Sequence, residues 1–315
     1  MTMEKNDINQ LMINLAKDYY IEDIPITTLT EKYELSRYKI LKHLNDAKEQ
    51  GIITINIQAP YERNYELERL LGSMFNTSFF ILKENEDLTN SNYYFWKFSA
   101  EIIEDYIIQS NVVSLSWGDS IYQIIEQFKP AITENLVFTQ FVGEIGKYHS
   151  LAGSTRLVQK AAAKFEANYL TLTAPLYIIN NQARELLALE PLLQKTLITA
   201  EKSDIILTAV ATPASITSVD SWNQNKHLLF GDSFNQTCGF AYGRPFDQYG
   251  HFLNLENDKT FGLSLEQIFQ IPKRICVNNN KFKTGALIGA LRGNFFTHMF
   301  LNEKSALSIL DQLDR

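Results

Sequence analysis

Only two cysteines, Cys238 and Cys276, occur in 315 residues. Two isolated thiols make neither a disulfide framework nor a Cys-based metal site, so a reducing, cytoplasmic setting is expected. The five histidines, at 43, 149, 227, 251 and 298, show no ligand spacing, and no metal or other cofactor is expected. With 14 glycines the chain is lean for a protein that must bring backbone close to a ligand. No apolar run approaches the ~20 residues that span a bilayer, and the opening MTMEKNDINQ lacks the apolar segment of a signal peptide. An excess of basic residues is missing too. A net charge of −7 argues against a non-specific nucleic-acid coat or a membrane-surface protein.

What is present is an ordinary globular composition, 45% hydrophobic and 21% charged, on a chain long enough for two domains. The most informative stretch runs from Thr27 to Ile57. Leu29 and Tyr33 give a first helix an apolar side, and Glu34-Leu35 makes a turn. Ser36 stands where an N-cap belongs. From there Ile40, Leu41, Leu44 and Ala47 recur at helical spacing, leaving Arg37, Tyr38, Lys39, Lys42 and His43 on or near the other side. Gly51 stops this helix, and the β-branched Ile52–Ile57 reads as the strand of a wing. The outline is a winged helix-turn-helix, with Ser36–Glu49 as the helix for a major groove. Asp7–Tyr20 precedes it as a supporting helix. Residues 1–35 carry a net charge of −4 and residues 36–49 a net of +2, so positive charge lies where phosphates would be. The same shape also serves in protein docking, and at this point both readings stand.

After Ala59-Pro60, a helix over Tyr61–Phe75 leads into alternating strands and helices. Strands are expected at Phe79–Leu82, Val112–Ser116, Leu136–Val142, Leu170–Ala174, Asp204–Val210, Arg274–Val277 and Thr297–Leu301. Helices are expected over Trp96–Gln109, from Ser120 to Phe128, and over Gly153–Asn168, Gln182–Ala188, Pro191–Ala200, Lys281–Leu291 and Glu303–Leu313. The bare apolar run DIILTAV is of the kind buried in a parallel sheet. The fold class is therefore α/β: an N-terminal winged helix-turn-helix over residues 1–57, then a doubly wound parallel sheet over 58–315.

Particular segments carry a family resemblance. Ser36-Arg37 with Leu41, Leu44, Ala47 and Gly51-Ile52 looks like the DNA-reading unit of the SorC family of bacterial transcription regulators. Val112 to Ser120 (VVSLSWGDS) resembles that family's strand and phosphate-side loop. Gly239 to Gly250 (GFAYGRPFDQYG) matches its segment ending Phe-Asp-x-x-Gly, and Lys283 to Leu310 its C-terminal stretch. The chain is most similar to the deoxyribonucleoside-regulator branch. The resemblance implies a fold like ribose-5-phosphate isomerase and glucosamine-6-phosphate deaminase, used as a sensor rather than an enzyme. It also implies a phosphorylated sugar effector, a near-palindromic operator DNA, and a homodimer or homotetramer. The alternatives are a DNA-binding regulator with a vestigial pocket, whose α/β domain serves oligomerisation or protein interaction, and a sugar-phosphate isomerase or deaminase.

Its implied DNA contacts are Ser36, Arg37, Tyr38, Lys39, Lys42 and His43. The implied effector contacts are the loop Gly118, Asp119 and Ser120, then Gly143 and Glu144, Ser154 and Thr155, and Lys283. Blander roles stand beside these: Asp119 as a helix cap, Glu144 as a surface acid, Ser154 and Thr155 as helix openers, and Lys283 as a solvated lysine. Asp247 reads as a turn residue. The departures from the family pattern are Asn278-Asn279-Asn280 in place of a glycine-rich segment, Phe240 after Gly239, and Ala209-Val210-Ala211-Thr212 at a strand end. A Schiff-base lysine of the deoxyribonucleoside branch aligns with Val142, so that chemistry is expected to be absent.

Overall fold

The structure, a computed structural model, describes residues 5–53, 62–84, 91–145 and 152–313. Its contacts divide it into two units, residues 1–60 and 61–315.

In the first unit α1 (Lys5–Tyr20), α2 (Ile26–Lys32) and α3 (Arg37–Glu49) bury one small core. Leu15, Leu29, Ile40 and Leu44 meet at its centre. Their spacing along each helix puts them on one stripe, which is the reason these short helices hold. The turn between α2 and α3 passes through Glu34 at φ 52°, and the Ser36 hydroxyl caps α3 by accepting from the Lys39 N–H at 3.3 Å. Asp18 ties α1 to the pair, accepting from Lys32 Nζ and from the Tyr33 hydroxyl, each at 2.6 Å. Lys32 first, then Tyr33, holds the Asp18 carboxyl below its ordinary range. One apolar position departs from expectation: Leu41 is 45% exposed. The core closes on Ile40, Leu44 and Ala47, and a single step round the helix, about 100°, carries Leu41 out of it. The expected wing strand over Ile52–Ile57 lies largely outside the described residues.

The second unit is built on seven parallel strands: β1 (Ser78–Leu82), β2 (Val112–Leu115), β3 (Val137–Gln140), β4 (Asn168–Tyr169), β5 (Ile205–Thr208), β8 (Lys273–Asn278) and β9 (His298–Asn302). Between β5 and β8 the chain forms a separate antiparallel hairpin, β6 (Gly239–Ala241) and β7 (Arg244–Phe246). The helices are α4 (Tyr65–Met74), α5 (Ser91–Ile108), α6 (Asp119–Gln127), α7 (Ser154–Lys164), α8 (Asn181–Ala188), α9 (Pro191–Glu201), α10 (Pro213–Thr217), α11 (Asp220–Gln224), α12 (Lys226–Phe230), α13 (Leu265–Gln270), α14 (Thr284–Arg292) and α15 (Glu303–Leu313).

Alternation along the strands makes two cores. Ile205 and Leu207, Ile275 and Val277, and Phe300 face α5, α6 and α7. Ile206, Cys276, Met299 and Leu301 face the other way, among α4, α14, α15 and the hairpin. Side chains of period two, apolar on both faces, are what a covered parallel sheet requires. The strand order is β1-β9-β8-β5-β2-β3-β4. From β2 the chain winds outward through β3 to β4; from β5 it winds the opposite way through β8 to β9. The direction reverses between β2 and β5, and the carboxyl ends of these two strands frame a crevice of the type where ligands sit in such sheets.

One expected strand is displaced. Leu170–Ala174 is irregular, and the edge strand is the two-residue β4 just before it. The Gln140 side chain explains the difference: its Oε1 accepts the Leu172 N–H at 2.9 Å, a bond that a backbone ladder would otherwise make.

Candidate functional site

The loop after β2 starts at Ser116 and turns into α6 through Gly118, whose backbone at φ 119° and ψ 161° suits only glycine. Gly118 is the N-cap and supplies no side chain, so the first turn of α6 keeps its backbone N–H groups for something else. Asp119 is the first helical residue and not the cap. The loop is pinned from behind by the Gly118 N–H, which donates to the Ala152 carbonyl at 3.0 Å.

Opposite stands Lys283, which closes a short 3₁₀ turn and caps α14. That turn follows Asn278–Asn280, where Asn280 Oδ1 accepts the Phe282 N–H at 2.9 Å and Asn278 Nδ2 donates to the Asn280 carbonyl at 3.1 Å. Lys283 Nζ donates to the Val210 carbonyl, at the exit of β5, at 2.8 Å. Burial draws its ammonium below the ordinary lysine range, against an opposing pull from the Asp119 carboxylate. Cys276 lies in the core beneath, its thiol pushed up to about 12 by burial and so neutral.

Between the α6 turn and Lys283 lies a cavity of about 350 Å³. Gly118, Asp119 and Ser120 form one wall, and Ala209, Val210 and Lys283 another. Ser215, Ser218, Val219 and Trp222 come in from α10, α11 and the turn between them, and Phe240 and Tyr242 from the hairpin. Tyr177, 5.0 Å from the Trp222 ring and edge-on to it, buttresses that side and donates from its hydroxyl to the Gly243 carbonyl at 2.6 Å. A cavity with apolar and aromatic walls, hydroxyls at its rim, one helix N-terminus and one desolvated amine suits a small polar ligand with a single anionic end.

Four of the expected effector residues are gathered elsewhere. Gly143, Glu144, Ser154 and Thr155 do not line this cavity. The Glu144 carboxylate accepts the backbone N–H groups of Ser154 at 3.2 Å and Thr155 at 2.8 Å, together with the Ser154 hydroxyl at 3.1 Å. Ser154, fully buried, also accepts from Gln140 Nε2 at 2.9 Å. The donors that the sequence offers to an external anion are therefore taken by an internal one. Gly143 packs so closely on the Ala174 and Pro175 carbonyls that any side chain would collide with them. Asp247 has the turn role expected of it, accepting from the Tyr249 and His251 N–H groups, each at 2.9 Å.

The lining from α10 to Tyr242 has no counterpart among the expected residues. Its one local signal is Thr212-Pro213-x-Ser215, a helix start with proline at the first position, where Ser215 Oγ accepts the Thr212 N–H at 3.4 Å. In the first unit Ser36, Arg37, Tyr38, Lys39 and Lys42 are exposed on α3, while His43 is half-buried with its Nδ1 enclosed.

The sequence model of a sugar-binding domain family matches residues 59–311. The chain belongs to this SorC-type family of transcription regulators. Among proteins similar to it across the whole chain, the deoxyribonucleoside regulator of Bacillus subtilis is 23% identical, covering 96% of this chain and 98% of its own length. The sorbitol operon regulator of Klebsiella pneumoniae is 22% identical, covering 98% and 100%. The crystal structure of that full-length regulator superposes with a TM-score of 0.68 at 19% identity, over 97% of this chain and 100% of the other. A transcriptional regulator from Streptococcus pneumoniae reaches a TM-score of 0.69 at 19% identity over 80% and 98%. These SorC-type relatives are named as regulators, not enzymes. Among the described residues of this family member, no helix is long and apolar enough to cross a membrane and no cluster of His, Cys, Asp and Glu could hold a metal ion.

Proposed function

We propose that this regulator binds operator DNA through α3 and that a small phosphorylated sugar, held in the cavity between β2 and β5, sets its operator affinity. The supporting observation is the pairing of two anion-seeking features across one small space: the uncapped start of α6 and the half-buried Lys283 amine. A phosphate placed there accepts from the N–H groups of Asp119 and Ser120 at the positive end of the helix. Lys283 exchanges its bond to the Val210 carbonyl for a charged one to phosphate. The Asp119 carboxylate would repel that phosphate and so takes the sugar hydroxyls instead, alongside Ser215 and Ser218. Trp222 and Tyr242 cover the apolar face of the sugar.

Occupancy changes DNA affinity only if the ligand prefers one of two arrangements of the protein, and couplings of this kind are typically about 1–3 kcal/mol. Two-fold assembly as a homodimer or homotetramer would make the operator near-palindromic. The test is a thermal-shift panel of sugar phosphates beside their unphosphorylated sugars. A ligand that prefers the folded state raises Tm by mass action. The expected result is a rise with one phosphorylated sugar, absent with its free sugar and lost in Lys283→Ala. A flat response across the panel would overturn the effector half of the proposal, while operator binding is measured independently by fluorescence anisotropy.

A further inference from the structure

We infer that Leu41 reads a thymine methyl group in the major groove, an assignment that rests on the DNA-binding reading of α3 and adds a specificity residue to it. Among the described residues, leucine at this position takes no part in the buried core of the first unit. The three-helix core is filled by Leu15, Leu29, Ile40 and Leu44, and Leu41 stands 45% exposed beside it. Its neighbours one turn either way on the open face are Tyr38, 75% exposed, and the exposed Asn45.

Charge says what covers this face. Arg37, Lys39 and Lys42 are exposed in the first two turns of α3, whereas the residues before the helix are predominantly acidic. An apolar side chain with the exposed Arg37 one turn back on its own face and Lys42 next round the helix, in the N-terminal half of a helix joined to its predecessor by a tight turn, suits a polyanion that presents an apolar spot. Duplex DNA does so at the C5-methyl of thymine, which projects into the major groove and there distinguishes T·A from C·G. The cations hold the backbone and fix the register; leucine supplies discrimination at one base pair without a hydrogen bond.

Full-length protein is first used to select a tight-binding duplex from a random pool. Each thymine of a half-site is then replaced singly by deoxyuracil, which removes only the methyl group. At one position the wild type should lose about fourfold in affinity, the worth of one buried methyl. Leu41→Ala, which leaves the core intact, should bind the thymine duplex about fourfold more weakly and show no further loss with uracil at that position. If no uracil substitution weakens the wild type, or if Leu41→Ala keeps the same sensitivity, the inference is overturned while DNA binding stands. A pool that yields no enriched duplex overturns the DNA-binding reading and this assignment with it.

Discussion

Helices α6 and α7 begin in nearly the same way and end up with opposite tasks. Each follows a strand of the parallel sheet, each has glycine as its N-cap, Gly118 or Gly153, and neither cap supplies a side-chain bond. At α7 the Glu144 carboxylate, arriving from the end of β3, occupies the N-terminus and takes its donors. At α6 the same kind of opening faces a cavity with Lys283 across it. The difference teaches that a helix N-terminus becomes available to a ligand by what the neighbouring strand end withholds. Its own sequence does not decide the matter.

Substitutions can reverse or sharpen that contrast. The largest effect is expected on ligand binding. A charge-assisted hydrogen bond contributes about 1.5–3 kcal/mol, so Lys283→Ala should weaken the sugar phosphate by at least tenfold in calorimetric titration. Operator affinity without effector should barely change. On the α7 side, Glu144→Ala should leave the ligand affinity near that of the wild type and cost about 1–3 kcal/mol of stability in chemical denaturation, because it orphans the part-buried donors that Glu144 satisfies. Equal effects of the two substitutions on ligand binding would erase the contrast.

Gly118→Ala tests the α6 turn itself. No atom obstructs the new methyl, but its φ of 119° strains any other residue. A loss of about 1–3 kcal/mol in stability is expected, accompanied by weaker ligand binding, since the strain is relieved by moving the first turn.

The smallest effect is a pH dependence. Burial lowers the Lys283 pKa in the free protein, and a bound phosphate would favour the ammonium form. Ligand binding should thus take up protons, and affinity should fall as pH rises through the free protein's lowered lysine pKa. Folding stability runs the other way there: the unfolded chain, with its ordinary lysine, binds more protons, so stability gains with rising pH between the folded and unfolded values. Lys283→Met should flatten both slopes, measured by calorimetry across alkaline pH.

Parts of this contrast are legible in the sequence. The strands β2, β5, β8 and β9 announce themselves because a sheet covered on both faces needs unbroken apolar runs such as DIILTAV. Gly118 and Lys283 are singled out by position in a family pattern and sit on two sides of one cavity. The Glu144 bridge is not legible, since it joins a strand end to a helix start ten residues away through geometry that no local pattern encodes. Helices α10 and α11, five residues each, are too short to show a helical period, so Trp222 and Ser218 stay hidden until the chain is folded over the cavity. Leu41 is misleading for a different reason: apolar residues at i and i+1 cannot both face a narrow three-helix core.

Strand β1 has β9 as its partner in the sheet. Thr77 at its root donates to the Phe296 carbonyl, a contact spanning 219 positions. On a ribosome elongating at about 5–20 residues per second, β1 therefore waits roughly 10–40 s for its neighbour to emerge. The three helices of the first unit need no such wait, because their core joins residues from 15 to 44. Synthesis thus completes the small core of the first unit well before the sheet can close, and on the reading proposed above a nascent chain would pass through a stage at which it could engage DNA without yet answering to any effector.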